Sequence, residues 1–254
     1  MNYGEKRKLP LAALVSDSLV LLHLLKGQPL SASSSQQERL ERFYGPQASH
    51  YDNFRERLLH GRRELVERLA PLPGSRVIEL GAGTGRNVEF FGARLLSLER
   101  LELVDLCPSL LHHARDRCSR WPEIAHAVQA DVTTYTPEAP ADYVFFSYSL
   151  TMIPEWRRAL ANAIRMLRPG GLLGVVDFHA SRNLAHADAF RQGRLSQWFW
   201  RNWFGHDGVH PTSEHLEALC ACTTQIHLQE RYGKVPYLPF LRAPYYLYIG
   251  RKTG

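Results

Sequence analysis

The chain has 254 residues, 44% hydrophobic and 22% charged, enough apolar material for one sizeable core and too much for a disordered chain. Lysine and arginine total 31 against 25 acids, a net charge of +6 that favours an anionic partner, such as a membrane face or an acidic substrate, but falls short of a dedicated nucleic-acid binder. Cys107, Cys118, Cys220 and Cys222 form no CxxC pair, so neither a zinc site nor a disulfide scaffold is indicated and the thiols read as reduced.

Leu9 to Leu25 is apolar and follows the basic run Lys6-Arg7-Lys8. A spanning helix needs about 20 mostly apolar residues. This run is shorter and is interrupted by Ser16-Asp17-Ser18 and His23. The expectation is therefore an amphipathic helix, with Leu11, Leu14, Val15, Leu22 and Leu25 on one face, docked on the domain or lying in a membrane interface. Gly27 to Gln37 reads as a linker, making residues 1–35 an extension and residues 36–254 one domain.

From Gln36 to Ala70 the apolar spacing is helical, ended by Pro71 and Pro73-Gly74. Five β-like runs follow: Arg76 to Leu80, Leu101 to Asp105, His126 to Asp131, Asp142 to Ser147 and Leu172 to Asp177. Strands alternating with helices predict an α/β fold with a mostly parallel sheet. A helix is expected over Pro154 to Leu167, its inner stripe Trp156, Leu160, Ile164 and Leu167, stopped by Pro169-Gly170-Gly171. After a polar and aromatic region, a helix is expected around Glu214 to Cys222. Two late strands, Thr224 to Arg231 and Tyr245 to Lys252, are joined by a connector with Pro236, Pro239 and Pro244 that is too short for a crossover, so they pair antiparallel. There is no internal repeat.

The loop Glu79 to Asn87, ELGAGTGRN, follows the first strand and is expected to open a helix. Gly81, Gly83 and Gly85 give GxGxG, whereas a dinucleotide fingerprint places its third glycine one residue later. Asp105, at the end of the second strand, is placed to accept hydrogen bonds from both hydroxyls of a ribose, and Asp131, after the third, to receive an adenine amino group. For each acid the ordinary alternative is a helix cap or a solvated loop position.

On these residues, with the RPGG turn at Arg168 to Gly171 and the antiparallel final pair, the stretch Arg76 to Lys252 resembles class I S-adenosylmethionine-dependent methyltransferases. The resemblance implies a Rossmann-like, seven-stranded sheet with its last strand inserted antiparallel between the fifth and sixth. It implies cofactor contacts from Gly81, Ala82, Gly83, Asn87, Asp105, Leu106, Asp131, Val132 and Ser147. Tyr51-Asp-x-x-Arg55 resembles the lid of quinone and lipid methyltransferases, so residues 36–72 are expected to form a helical lid in which Tyr51 lines the transfer site and Arg55 binds a carboxylate. The alternative is an amphipathic helix with Tyr51 in the core and Arg55 solvated.

Longer stretches, Gln37 to Leu69, Val104 to Arg115, Ser147 to Leu160, Trp203 to His210 and Lys234 to Lys252, look like the methyltransferase module of betaine lipid synthases. That resemblance implies three methylations of diacylglyceryl-homoserine at the cytoplasmic membrane surface, with a separate 3-amino-3-carboxypropyl transferase supplying the lipid. Such chemistry aligns a neutral amine with a sulfonium methyl and shields both from water. Asp177 and His179, at the end of the fifth strand, are the candidate bases, and Tyr51 and Tyr148 the candidates for orienting the amine.

Residues 180–222 are expected to form an aromatic cap, with Trp198, Phe199, Trp200, Trp203 and Phe204 beside Arg191, Arg194 and Arg201, facing lipid or packing over the sheet. His206, Asp207, His210, Glu214 and His215 match no metal-site spacing, and no metal is expected; His206 or His210 could instead meet a substrate carboxylate. Two alternatives stand beside the lipid amine: a soluble small amine or quinone-like acceptor, and a cofactor-binding partner module that methylates nothing.

Overall fold

The computed structural model describes residues 57–179, 213–236 and 238–253, together with Glu38 and Glu41. Tyr51, Arg55, the Leu9 to Leu25 segment and the tryptophans of residues 180–212 lie outside the described residues.

The elements in chain order are α1 (Arg62–Leu69), β1 (Arg76–Leu80), a 3-10 segment (Arg86–Ser97), β2 (Arg100–Asp105), α2 (Pro108–Cys118) and β3 (Ala125–Gln129). Then come β4 (Ala141–Ser147), a 3-10 turn (Leu150–Met152), α3 (Trp156–Met166), β5 (Leu167–Phe178), α4 (Ser213–Cys222), β6 (Thr224–Val235) and β7 (Leu238–Arg251). They build one seven-stranded sheet in the order β3-β2-β1-β4-β5-β7-β6. The pairs among β1 to β5 are parallel, and β7 lies antiparallel to both β5 and β6. The expected fold class and the inserted last strand are both present.

The central strands are continuous apolar runs because both faces of the sheet are covered. One face packs Leu65, Val66 and Leu69 of α1, Phe90, Phe91 and Leu95 of the 3-10 segment, and Leu111 of α2. The other packs Trp156, Leu160 and Ala163 of α3 and Leu216 and Leu219 of α4 against Tyr246 and Tyr248. The chain winds outward from β1 to β3 and then returns to β4 on the other side of β1. The loops leaving β1 and β4 therefore diverge and open a crevice at the carboxyl end of the sheet, where open α/β sheets bind ligands.

Four elements differ from the sequence expectation, each for a local reason. The helix expected after the glycine loop is a 3-10 run broken at Gly92, whose φ of 55° and ψ of −134° belong to no helix. Strand β5 starts earlier than expected, at Leu167 opposite Ala141, then slips through Arg168 to Gly171 before regular pairing resumes at Tyr143 and Leu172. The proline-bearing connector between the last strands is itself hydrogen-bonded ribbon, since β6 and β7 continue to Val235 opposite Leu238. Its Pro244 lies past Phe178, the last residue of β5 to pair with β7, so β6 is the sole strand partner there and a missing N–H is tolerated.

The fourth difference concerns the expected lid. Its carboxyl-terminal part is α1, and Leu65, Val66 and Leu69 are all buried in the core of the sheet's first face. Leu65→Ala should therefore cost about 2–5 kcal/mol in urea unfolding, as core truncations do. A loss below about 0.5 kcal/mol, typical of exposed sites, would mean that α1 is a detachable cover.

Candidate active site

The strands β1 to β5 are parallel, so the candidate residues at their carboxyl ends line one edge of the sheet. The glycine loop is stitched to β2 at that edge. Gly81 and Ala82 donate their N–H groups to the carbonyl of Val104 at 2.8 and 3.1 Å. The Asp105 carboxylate accepts Gly83 N–H at 2.7 Å through Oδ2 and Cys107 N–H at 2.8 Å through Oδ1. Position 81 requires glycine: its φ is +73° and an added Cβ would stand 2.4 Å from Ser149 Cβ. Ser149 in turn donates its hydroxyl to the Leu80 carbonyl at 2.6 Å, closing the β1 and β4 loops against each other.

Further along the edge, Asp131 Oδ1 accepts Thr133 N–H at 2.8 Å. Val132 behind it is buried and Leu106 is half-buried. Asn162 holds this loop to α3, donating its amide to the carbonyls of Val132 and Tyr135 at 2.9 and 2.8 Å. Ala82 and Asn87 of the loop and Ser147 of β4 are buried, and the Ser147 hydroxyl has no hydrogen-bond partner among the described residues.

Two charged residues that carried no assigned role in the sequence sit beneath the glycine loop. Glu79 on β1 is 1% exposed and accepts the Asn87 amide at 2.6 Å through Oε1, while Oε2 has no partner among the described residues. Burial pushes its carboxyl up to about 8, against the opposing pull of the Asn87 hydrogen bond and the Arg62 charge. Arg62, at the first turn of α1, is buried with its guanidinium 5.6 Å from the Phe90 ring centroid, and its charge acts on both Glu79 and Tyr148. The signal in the sequence was an acid inside an otherwise apolar strand. Glu41 adds a contact from the amino-terminal side: its carboxylate lies 3.2 Å from Cys107 Sγ and accepts Ser109 N–H at 3.3 Å, at the start of α2 beside Asp105.

At the β4 and β5 end, Tyr148 is buried in the left-handed region at φ 55°, donates its hydroxyl to the His60 carbonyl at 2.8 Å and meets Phe178 edge-on. Its hydroxyl is thus used to fix the start of α1 over the sheet edge. Asp177, the first candidate base, is fully buried: Oδ1 accepts the Thr151 hydroxyl at 2.6 Å and Phe178 N–H at 2.8 Å, and Oδ2 accepts Thr151 N–H at 3.1 Å. These bonds tie the 3-10 turn after β4 to β5. Burial raises the Asp177 carboxyl to about 6. His179 is 3% exposed, with Nε2 at 3.1 Å from Glu230 Oε1 on β6, a partner that the sequence did not suggest. Glu214 pairs with Arg157 on the outside, and His215 is buried edge-on against Trp156. Among the described residues there is no group of three His, Cys, Asp or Glu side chains that could hold a metal ion.

Residues 51–224 match the family of methyltransferase domains. The chain belongs to that family. It is 33% identical over 126 residues to trans-aconitate 2-methyltransferase of Methylobacterium radiotolerans, a match covering 49% of this chain and 46% of that one. It is 31% identical over 121 residues to the ubiquinone/menaquinone biosynthesis C-methyltransferase of Hydrogenovibrio crunogenus, covering 46% and 47%. The match thus spans about half the length of these relatives. In fold it resembles the N-methyltransferase NodS of Bradyrhizobium japonicum, solved with S-adenosylhomocysteine, at a TM-score of 0.63 and 18% identity over 87% of this chain and 100% of that one.

The two raised carboxyls fix a direction for stability. Between the unfolded carboxylate range and the folded values of about 8 for Glu79 and about 6 for Asp177, the folded chain holds protons that the unfolded chain releases. Stability therefore falls as pH rises through that window. Glu79→Gln removes its part, so unfolding free energy measured by urea at pH 5, 6.5 and 8 should decline less steeply in the variant than in the parent. An equal or steeper decline would contradict a raised Glu79.

Proposed function

We propose that the chain transfers a methyl group from S-adenosylmethionine to a small-molecule acceptor. The observation that carries this is the Asp105 carboxylate bonded to the GxGxG loop at the crevice between β1 and β4. A carboxylate at the end of β2, already turned toward the glycine loop through Gly83 and Cys107 N–H, suits the hydroxyls of a ribose. The Asp131 carboxylate, after β3, suits an adenine amino group. The amino-acid end of the cofactor is zwitterionic: the Arg62 guanidinium offers the opposite charge to its carboxylate, and the Glu79 carboxyl an oxygen to its ammonium. Glu79 Oε2, Asn87 Oδ1 and Ser147 Oγ, buried without partners among the described residues, are the acceptors such a ligand would satisfy. When bound, the cofactor supplies an activated methyl on a sulfonium, so this chain's residues need to bind, orient and exclude water.

The acceptor is inferred from the activities for which the relatives are named, trans-aconitate and quinone methyltransferases, which favour a small acidic or quinone-like molecule over a lipid amine. A second reading, diacylglyceryl-homoserine at a membrane surface with a separate transferase supplying it, rests on the five sequence stretches resembling betaine lipid synthases. Among the described residues no helix is long and apolar enough to cross a membrane.

The test is incubation with methyl-labelled S-adenosylmethionine and, in separate reactions, trans-aconitate, a demethylated quinone and diacylglyceryl-homoserine in mixed micelles, followed by mass. Label is expected on a soluble or quinone-like acceptor. One to three methyl groups on the lipid would instead support the second reading, and cofactor binding with no labelled product would support a non-catalytic partner module. Asp105→Ala should weaken S-adenosylmethionine binding by about 1–3 kcal/mol through lost ribose hydrogen bonds. Unchanged affinity by calorimetry would remove Asp105 from the site.

A further inference from the structure

Beyond the glycine loop, one face of the sheet carries a row of ionisable groups at its ligand-binding end. Asp177 on β5, Tyr246 on β7 and Glu230 on β6 occupy a single rung, since Asp177 pairs with Tyr246 and Tyr246 with Glu230. Residues directly opposite in a sheet share a face, and a residue two further along a strand returns to it. His179 therefore stands on that face just past Asp177. Its ring meets Tyr246 edge-on at 5.7 Å, and Nε2 lies 3.1 Å from Glu230 Oε1, an ion-pair separation without the alignment of a hydrogen bond.

Two atoms of this group are conspicuous on energetic grounds. His179 Nδ1 and the Tyr246 hydroxyl are buried and have no hydrogen-bond partner among the described residues. Burying such a group without a partner is costly. A fold gains nothing from that expense by packing alone, whereas a ligand atom arriving at Nδ1 would recover it. Asp177 is unsuited to the same task because both of its oxygens already accept hydrogen bonds from Thr151 and Phe178. The titratable groups brought to this face are Asp177, Tyr246 and Glu230 from the strands and His215 from α4, whose ring packs on Trp156 of α3.

We propose that His179 is the base that takes a proton from the acceptor, and that Glu230 positions its ring and balances the charge it gains. This rests on the methyltransferase reading above. In the step, the acceptor's O–H or N–H bond breaks, the electron pair stays on that oxygen or nitrogen, and the proton forms a new bond to Nδ1. The resulting imidazolium lies against the Glu230 carboxylate and later loses the proton to water. A base of this kind has a use only for an acceptor protonated at neutral pH, so the chain's acceptor is a phenol, a quinol or an ammonium. A carboxylate acceptor arrives already ionised and needs no such group.

The experiment is a crystal structure of the full chain with S-adenosylmethionine bound. A nucleophile about 3–3.5 Å from the methyl carbon and about 3 Å from Nδ1 sets an upper limit on the separation of those two atoms. The expected distance is about 7 Å or less, or about 9 Å with one ordered water between; a longer one overturns the proposal. A chain that binds no cofactor would sink the methyltransferase reading itself, while bound cofactor with a distant imidazole would sink only the base. In turnover of a demethylated quinol or diacylglyceryl-homoserine, His179→Gln should lower kcat by about 10²–10⁴-fold and Glu230→Gln by about 10–100-fold, with KM for the cofactor unchanged. A kcat within twofold of the parent for His179→Gln would likewise overturn the assignment.

Discussion

A single buried carboxylate at the end of β2 sets the geometry on which the rest of the site depends. Asp105 holds Gly83 of the glycine loop with one oxygen and the first turn toward α2 with the other. Charged acceptors bond backbone N–H groups roughly twice as strongly as neutral ones. The loop is therefore fixed where its backbone can approach a ligand, and Gly81 is pressed so closely to Ser149 that any side chain there would part the β1 and β4 loops.

Around that frame the sheet's carboxyl end gathers ionisable groups that the interior would ordinarily exclude. Glu79 and Asp177 are both closed off from water, and both carboxyls are raised by burial. They differ in use. Asp177 is saturated by Thr151 and Phe178 and serves to fasten the turn after β4, whereas one oxygen of Glu79 is unengaged among the described residues. Tyr148 fastens a third element, the start of α1, through His60, and Arg231 bonds Glu64 of the same helix from β6 at 2.5 Å. The carboxyl-terminal part of the expected cover, α1, is thereby built into the wall of the site.

Much of this was legible in the amino-acid order. The five apolar runs, the GxGxG spacing, Asp105 and the antiparallel final pair all depend on near-neighbour patterns that periodicity and turn chemistry reveal. What stayed hidden depends on contacts between distant segments. Nothing local marks Arg62 as buried beside Glu79, and nothing in the run from Thr224 says that Glu230 will face His179 from a strand two places away. The broken 3-10 run turns on one glycine's conformation, and the long β6–β7 ribbon on prolines that fall past the end of β5. The acceptor was the least legible feature of all: the stretches resembling betaine lipid synthases point to a lipid amine, while the relatives found by comparison act by name on trans-aconitate and quinones.

The claim at the centre of this account is that the Asp105-bound glycine loop cradles an adenosyl amino acid and not a dinucleotide. Calorimetric titration of S-adenosylhomocysteine, and separately of a nicotinamide dinucleotide, into the full chain tests it most directly. Saturable one-to-one binding of S-adenosylhomocysteine with no heat from the dinucleotide is the predicted result. Binding of the dinucleotide, or silence with S-adenosylhomocysteine, would contradict it.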